Sequence, residues 1–274
     1  MNMEKPVITT KGRKGEIVFA IALFLTLVVA AAVAFFVFSH ENKSAEKLFE
    51  KTHQDAVQQL SQALAGAADR ADALVETCKE MEQAQMPFAL QDFQDQNTLF
   101  SAAAFRKEGM GIDAKGQMFA AVQSDALQSA LNSPYPAEIV YSLSPFAEQK
   151  QAMYTAAFED KTDETIVIAA QLSLSLLLPD MFAGEENKAV ATLVVSDTGE
   201  VIEASAGQEK IINLLAWFYE QPADAVLQQQ LREDLRDRRA GMIVLSENQN
   251  VTHRIAYTPI EGTDWLIAQI EWAE

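Results

Sequence analysis

The chain has 274 residues and a formal net charge of −18 at pH 7, with 39 acidic against 21 basic side chains. Because nucleic-acid binding needs a basic surface that neutralises phosphates, this acidic surplus argues against a DNA- or RNA-binding protein. The single cysteine, Cys78, excludes an intrachain disulfide, and the sequence has no cluster of cysteines and histidines that would hold structural zinc.

Residues 17–38 form one continuous apolar run, IVFAIALFLTLVVAAAVAFFVF, with no charged side chain. About 20 apolar residues at 1.5 Å rise per residue cross the ~30 Å hydrocarbon core of a bilayer, so the run predicts a transmembrane helix. The alternative is a cleaved signal peptide, whose apolar core covers only about 7–15 residues. Phe35, Phe36 and Phe38 continue the run beyond its small-residue patch, which favours an uncleaved anchor.

The basic side chains before this run predict its orientation. Residues 1–16 carry three lysines and one arginine, and such positive charges favour the cytoplasmic side of a transmembrane helix. We therefore expect residues 1–16 to lie in the cytoplasm and everything after the helix to lie outside it. The chain is thus predicted to be a single-pass protein of the cell (inner) membrane with an extracytoplasmic C-terminal domain.

Residues 41–86 are predicted to form a long stalk helix. Apolar or small side chains recur there every three or four residues, from Phe49 to Met81, which is the near-heptad pattern of a helix that packs on a partner. Two interpretations stay open. The helix packs only on its own domain, or it also packs on the same helix of a second copy in a homodimer.

After Pro87 the sequence changes to short stretches with β-strand patterning, separated by turns such as GMGIDAKG at 109–116. Two units of antiparallel sheet with flanking helices are predicted, residues 87–184 and residues 185–274. The predicted helices cover 124–131, 208–219 and 222–239. The predicted strands cover 99–106, 138–143, 152–159, 165–174, 191–196, 201–205, 242–245, 251–259 and 265–272.

Four segments carry a resemblance to the double Cache sensor domains of bacterial transmembrane receptors. They are GIDAKG (111–116), TIVIAAQLSLSLLLPDMF (165–182), ATLVVSDTGEVIEAS (191–205) and IAYTPIEGTDWLIAQIEW (255–272). The family order is a transmembrane helix, a stalk helix, and two PAS-like modules. The resemblance therefore implies an α+β fold with a membrane-distal module at 87–184 and a membrane-proximal module at 185–274.

The resemblance also implies a function, the sensing of a small-molecule ligand outside the cytoplasm. Such domains feed a second transmembrane helix and a cytoplasmic output, which is a GGDEF-type diguanylate cyclase, a histidine kinase or a chemotaxis signalling domain. No second apolar run of spanning length follows Phe38. Either the chain is the sensor part of a longer receptor, which we favour, or it acts through a partner.

In this family the distal module usually holds the ligand, and the resemblance singles out four residues of that module: Arg106, Asp113, Tyr141 and Tyr154. Each has an ordinary structural interpretation as well, because tyrosines pack at sheet rims and an aspartate caps the backbone of a turn. Amino-acid-binding members carry an Arg-x-Trp pair in the distal module. All three tryptophans of this chain lie after residue 216, which argues against an amino-acid ligand.

Enzyme motifs are missing from the sequence, which has no G-x-S-x-G nucleophile turn, no G-x-x-x-x-G-K-[ST] phosphate loop and no H-E-x-x-H metal motif. Its three histidines, His40, His53 and His253, lie far apart along the chain. We therefore expect no catalysis and no cofactor. The alternative function is that of an anchored interaction protein which docks an envelope partner without a small ligand.

Overall fold

The structure is a computed structural model. It describes the backbone of residues 11–97, 100–106, 108–122, 124–132, 137–182, 190–247 and 250–272, and the side chains of the same ranges from residue 43 onward, except at positions 100, 247 and 250. Among the residues whose side chains the structure describes, no helix is both long and apolar enough to cross a bilayer. The side chains of the predicted cytoplasmic and membrane segments, 1–16 and 17–38, lie outside the described residues.

The chain divides into two compact units, Met1–Lys51 and Thr52–Glu274, and both sheets belong to the second. Helix α1 covers Lys11–Lys79. From residue 52 onward its buried apolar side chains, apart from Val75, are spaced three or four residues apart and form one stripe. The stripe consists of Ala56, Leu60, Leu64, Ala67, Ala71, Leu74 and Cys78.

The long helix ends before the predicted position 86. After Lys79 the chain makes a 3-10 turn at Gln83–Gln85 and then forms α2, Met86–Gln96. Pro87 therefore lies in the first turn of a second helix instead of ending the first. Proline fits the first turn of a helix, since the N–H that it lacks would have no partner there.

The first sheet has six antiparallel strands in the order β3-β2-β1-β6-β5-β4. Their bounds are β1 Phe100–Arg106, β2 Met110–Asp113, β3 Met118–Ala120, β4 Glu138–Leu143, β5 Lys150–Glu159 and β6 Thr165–Leu172. The strand predicted at 165–174 is two residues shorter, because the short helix α4, Leu174–Leu177, begins there. Helix α3, Asp125–Asn132, lies one residue later than predicted.

Side chains of the first sheet alternate between two faces, as the pleat requires. On one face Ala104, Tyr154 and Ile168 join an apolar core with Leu64 of α1 and Leu90 of α2. The other face forms a separate cluster with α3. That cluster contains Ala103, Phe105, Val167 and Ala169 of the sheet and Leu127 and Leu131 of α3.

The second sheet has five antiparallel strands in the order β8-β7-β11-β10-β9. Their bounds are β7 Val190–Val195, β8 Val201–Ala204, β9 Gly241–Glu247, β10 Asn250–Pro259 and β11 Leu266–Trp272. The helices that precede and flank it are α5 Pro179–Phe182, α6 Leu214–Tyr219 and α7 Ala225–Arg236.

Two helices of this second part begin later than the sequence predicts. Asn213 caps α6 by accepting a hydrogen bond from the N–H of Ala216 at 2.9 Å. Asp224 caps α7 in the same way, accepting from the N–H of Leu227 at 2.8 Å. Because an N-cap residue has extended backbone, each helix starts only after its cap.

The second sheet also has two differently packed faces. One face packs on α6 and α7, in a cluster that includes Phe218, Leu231 and Tyr257. From the other face Trp265 and Ile267 belong to the same core as the apolar stripe of α1 and the first sheet. One continuous core therefore joins α1 to both sheets, and the candidate site lies at the edge of this core.

Candidate functional site

Three of the four predicted site residues, Arg106, Tyr141 and Tyr154, lie on the face of the first sheet that packs on α1 and α2. Strand register gives this placement, because residues that pair across strands share a face. Tyr154 lies opposite Ala170, and Arg106 lies opposite Ile166. Both partners belong to the core that contains α1.

Tyr154 is buried and makes a polar contact with the helix. Its side chain is 1 % exposed, and its hydroxyl donates a hydrogen bond to Oδ1 of Asp72 on α1. Burial, and after it the hydrogen bond to Asp72, raises the pKa of the Tyr154 hydroxyl. The hydroxyl therefore stays protonated at neutral pH and acts as a donor without adding charge.

Tyr154 forms part of the wall of a cleft of about 370 Å³, which we call the Tyr154 cleft. Four parts of the protein meet there: one side of α1, the beginning of β4, the middle of β5, and the turn between β10 and β11. Its lining residues are Ser61, Leu64, Ala65, Ala68, Asp72, Ala137, Glu138, Ile139, Tyr154, Glu261, Gly262 and Thr263.

The Tyr154 cleft combines an apolar floor with an acidic rim. Leu64 and Ile139 are buried beside Tyr154, whereas the carboxylates of Asp72, Glu138 and Glu261 belong to exposed residues. Its lining includes neither lysine nor arginine. A site of this composition offers an apolar surface for a ligand body and acceptors for a positively charged or hydrogen-bond-donating group.

Tyr141 lies diagonally across from Tyr154, since Tyr154 pairs with Ile139 two residues before it. The ring of Tyr141 is half-buried and lies 5.7 Å from Nζ of Lys150. Lys150 in turn forms an ion pair with Glu200, with 2.5 Å between Nζ and Oε2. Burial, and after it the charge of Glu200, raises the pKa of Tyr141 against the opposing effect of Lys150.

Arg106 ends β1 and lies in a different groove. It is exposed, and its guanidinium donates to Oε1 of Gln83 in the 3-10 turn. Gln83 also donates to Oε2 of Glu164 at 2.8 Å, so Arg106 belongs to a polar network around that turn. The adjoining cavity is small, about 50 Å³.

Arg106 and Tyr154 are too far apart to line one small pocket. Arg106 pairs with Ile166, which pairs with Phe158 on the next strand. Arg106 is therefore two strands across and four residues along from Tyr154. At ~4.8 Å between strands and ~3.4 Å per residue, the separation is on the order of 16 Å.

Asp113 lies on the opposite face, because it pairs with Ala103 of the α3 cluster. Its Oδ1 accepts hydrogen bonds from the N–H groups of Lys115 and Gln117, at 2.9 and 2.8 Å. These bonds hold the hairpin turn that ends at Gly116, whose positive φ of 74° suits glycine. The structure thus brings Tyr141 and Tyr154 together and keeps Arg106 and Asp113 apart from them.

Sequence reasoning did not select Asp72, Glu138 or Glu261 as site residues. All three are carboxylates among 39 acidic residues, and nothing in their sequence context distinguishes them from solubilising charges. A weak signal exists only for Asp72, which directly follows Ala71 of the buried stripe. Its role depends on a contact with Tyr154 that is distant in sequence.

A second polar group on α1 was also missed. His53 is 5 % exposed and shares a hydrogen bond of 2.9 Å with Oγ1 of Thr258 on β10. Beside it Nε2 of Gln269 donates to Oγ1 of Thr192 at 3.0 Å. We call these four residues the His53 layer. Burial lowers the pKa of His53 to about 4, although Gln269 offsets part of this effect, so the ring is neutral at pH 7.

The described side chains were also compared with the requirements of a metal site. Within the ranges that the structure describes, no group of three or more histidine, cysteine, aspartate or glutamate side chains is arranged to hold a metal ion. The acidic rim of the Tyr154 cleft is likewise spread over three separate elements.

The comparisons with known proteins find similarity to solved structures but no match to a protein-family model or to a curated protein. The extracellular domain of the proposed histidine kinase rpHK1S-Z16 matches with a TM-score of 0.56 and 11% identity, over 82% of this chain and 94% of that one.

Two chemoreceptor domains match in the same way. The ligand-binding domain of Campylobacter jejuni Tlp3, in complex with 4-methylisoleucine, has a TM-score of 0.53 and 11% identity, over 81% of this chain and 90% of its own. The ligand-binding domain of Pseudomonas fluorescens CtaA, in complex with L-isoleucine, has a TM-score of 0.55 and 14% identity, over 81% of this chain and 90% of its own. At such identities the matches establish the fold. The chain has the fold of the extracellular sensor domains of histidine kinases and chemoreceptors, which confirms the resemblance to double Cache domains at that level.

Proposed function

We propose that the chain is an extracytoplasmic input module that binds a small molecule and relays its binding across the membrane without catalysis. The observation that carries this proposal is the fold, which is shared with ligand-binding domains solved in complex with small molecules. The neighbours are sensor domains and not catalytic domains, which supports a non-enzymatic role.

The proposed arrangement places the chain in the inner membrane. Residues 17–38 span the bilayer, residues 41–86 form the stalk, and the modules at 87–184 and 185–274 lie outside the cytoplasm. A homodimer through the stalk and a cytoplasmic output, such as a GGDEF-type diguanylate cyclase, belong to the same proposal. The apolar length of 17–38 and the basic residues before it support the membrane part.

Signal relay would work through a shift between two packings of the same domain. Helix α1 shares one core with both sheets, so a change in how it packs on the first sheet also affects its packing on the second. A ligand shifts this equilibrium only if its binding free energy differs between the two packings. Tyr154 and Asp72 connect the first sheet directly to the helix.

The proposal is tested by ligand-induced stabilisation of the full chain in detergent micelles. Amino acids, amines, carboxylates and sugars are screened by thermal unfolding, followed by intrinsic fluorescence. A ligand present at one hundred times its Kd should add about 2.7 kcal/mol to the free energy of unfolding. The variants Tyr154→Phe and Arg106→Gln then show which groove holds the ligand. If no compound in any class produces a saturable shift, the sensor function is wrong.

A further inference from the structure

We propose that the Tyr154 cleft binds a small organic cation, an amine with an apolar body, between α1, the first sheet and the turn of Glu261–Thr263. This inference rests on the proposed sensing function and adds to it the chemical class of the ligand and the place where it binds.

The charge of the cleft determines the sign of the ligand. Asp72, Glu138 and Glu261 come from a helix, a strand and a turn, and all three line the same cleft. None of the three takes part in an ion pair among the described residues. A carboxylate ligand would be repelled there, whereas an ammonium group would find three acceptors of opposite charge.

The hydrogen bonds already made leave room for a donor. Tyr154 donates to Oδ1 of Asp72, so Oδ2 of the same carboxylate can accept from an ammonium N–H. Because the pKa of Tyr154 is raised by burial and by Asp72, its hydroxyl keeps its proton and does not compete as an anion. An ammonium with up to three donors matches this set of acceptors.

The floor of the cleft determines the body of the ligand. Leu64, Ile139 and the ring of Tyr154 are buried and face the same cavity as two exposed or half-buried alanines, Ala65 and Ala68. The volume of about 370 Å³ lies at the lower end of the range of small-molecule pockets, about 300–1,000 Å³. A compact apolar group carrying one amine fits both the size and the surface.

The turn that closes the cleft is held in place by its own hydrogen bonds. Thr263 donates from Oγ1 to the carbonyl of Ile260 at 3.1 Å and accepts from the N–H of Trp265 at 3.1 Å. Its carbonyl accepts from the guanidinium of Arg238. A ligand that touches this turn, α1 and β4 together therefore contacts both modules and the helix, which is the geometry a relay requires.

The test uses three probes that share a phenylethyl body and differ in charge. They are 2-phenylethylamine, 2-phenylethanol and 3-phenylpropanoate, titrated calorimetrically into the full chain in uncharged detergent. Ionic strength is kept at about 0.15 M so that the net negative surface is largely screened beyond ~8 Å. The amine should bind saturably, and both analogues should bind at least about 5-fold more weakly, the factor that corresponds to one exposed charge contact.

Variants locate the binding. Asp72→Asn keeps an acceptor for Tyr154 but removes the charge, and Glu138→Gln removes the charge of the β4 wall. Each should weaken 2-phenylethylamine about 5-fold. The matched controls are Asp95→Asn on α2 and Glu108→Gln in the β1–β2 turn, both exposed and outside the cleft lining. They should leave the affinity unchanged.

The outcomes separate this inference from the proposed function. Equal binding of the amine and the alcohol, or amine binding that ignores both cleft variants, overturns the cation site. Saturable binding of an anionic or neutral ligand that is unchanged in Asp72→Asn and Glu138→Gln also overturns the cation site. The proposed sensor function is then still supported. Absence of binding by every compound class overturns both. If the affinity for the amine is weakened in the two cleft variants and unchanged in the two control variants, the cation site and the sensor function are both supported.

Discussion

Helix α1 contacts the first sheet beside an open cleft and contacts the second sheet through a buried histidine, His53. At the first sheet the polar group is Tyr154 with Asp72, at the edge of an open cavity. At the second sheet the polar group is His53, which is 5 % exposed and bonds to the half-buried Thr258. One helix thus carries two polar contacts in different environments.

The difference separates two roles that one helix can have. A polar contact at an open edge can exchange protein partners for a ligand at small cost, because water or ligand satisfies the groups in either state. A polar contact inside a core is costly to break, because its groups would stay buried without partners. We therefore expect the second-sheet contact to hold the fold and the first-sheet contact to respond to ligands.

The largest expected effect concerns the core of the second-sheet contact. Trp265 is fully buried in the core shared with α1, and replacing a buried tryptophan by alanine costs about 3–5 kcal/mol through lost contacts and a cavity. Trp265→Ala should lower the free energy of unfolding by that amount in urea unfolding followed by circular dichroism. Trp217→Ala, a half-buried position on the outer face, is the control and should cost less. If the two variants lose the same free energy of unfolding, the contact between α1 and the second sheet does not contribute more to stability than the surface of the domain.

The next effect is the pH dependence that His53 contributes to stability. The pKa of His53 is about 4 in the folded protein and 6.5 in the unfolded chain. The unfolded chain therefore binds more protons between these values, and stability falls as pH decreases from 6.5 toward 4. Between pH 7 and pH 5 the loss from this one group should be about 2 kcal/mol.

His53→Gln should remove this part of the pH dependence, because glutamine does not titrate. The measurement is the urea midpoint at pH 7 and at pH 5, compared between the variant and the unmodified chain. His253→Gln serves as the control, since His253 is only half-buried between Trp217 and Trp272, and it should keep most of the pH dependence. If both variants show the same slope as the unmodified chain, His53 is not buried in the neutral form.

A smaller effect is expected at the open cleft. Tyr154→Phe removes the hydroxyl that donates to Asp72, and a hydrogen bond of this kind contributes about 1 kcal/mol when the freed carboxylate can be hydrated. Tyr141→Phe is the matched control, because no hydrogen bond from its hydroxyl is found among the described residues. The free energy of unfolding of the Tyr141→Phe variant should equal that of the unmodified chain. A loss of several kcal/mol in Tyr154→Phe would mean that the cleft contact, too, holds the fold.

The sequence predicts the elements of both regions better than their contacts. Alternating side chains mark the strands at 138–143 and 251–259, which form as β4 and within β10. The sequence pattern places a helix start too early where a capping residue precedes the helix, as at Asn213. In each case the signal is local. The spacing of apolar side chains marks a strand, and a capping residue marks the start of a helix.

The candidate site depends on contacts that no local pattern contains. Tyr154 and Arg106 were predicted as members of one pocket, but β6 lies between their strands, and strand order cannot be read from either segment. Asp72 reaches Tyr154 across 82 positions of the chain. The carboxylates of the cleft rim are chemically the same as the many solubilising ones, so only the packing of α1 on the sheet distinguishes them.

The smallest expected effect tests whether the two sheets communicate through their surface as well as through α1. Lys150 of the first sheet pairs with Glu200 before β8 of the second, and both side chains are well exposed, at 52% and 38%. Exposed pairs contribute about 0–1 kcal/mol. A double-mutant cycle with Lys150→Met and Glu200→Gln should therefore give a coupling below about 0.5 kcal/mol that shrinks further in salt. A larger coupling that salt leaves intact would make this pair a further route between the sheets, beside the core that they share with α1.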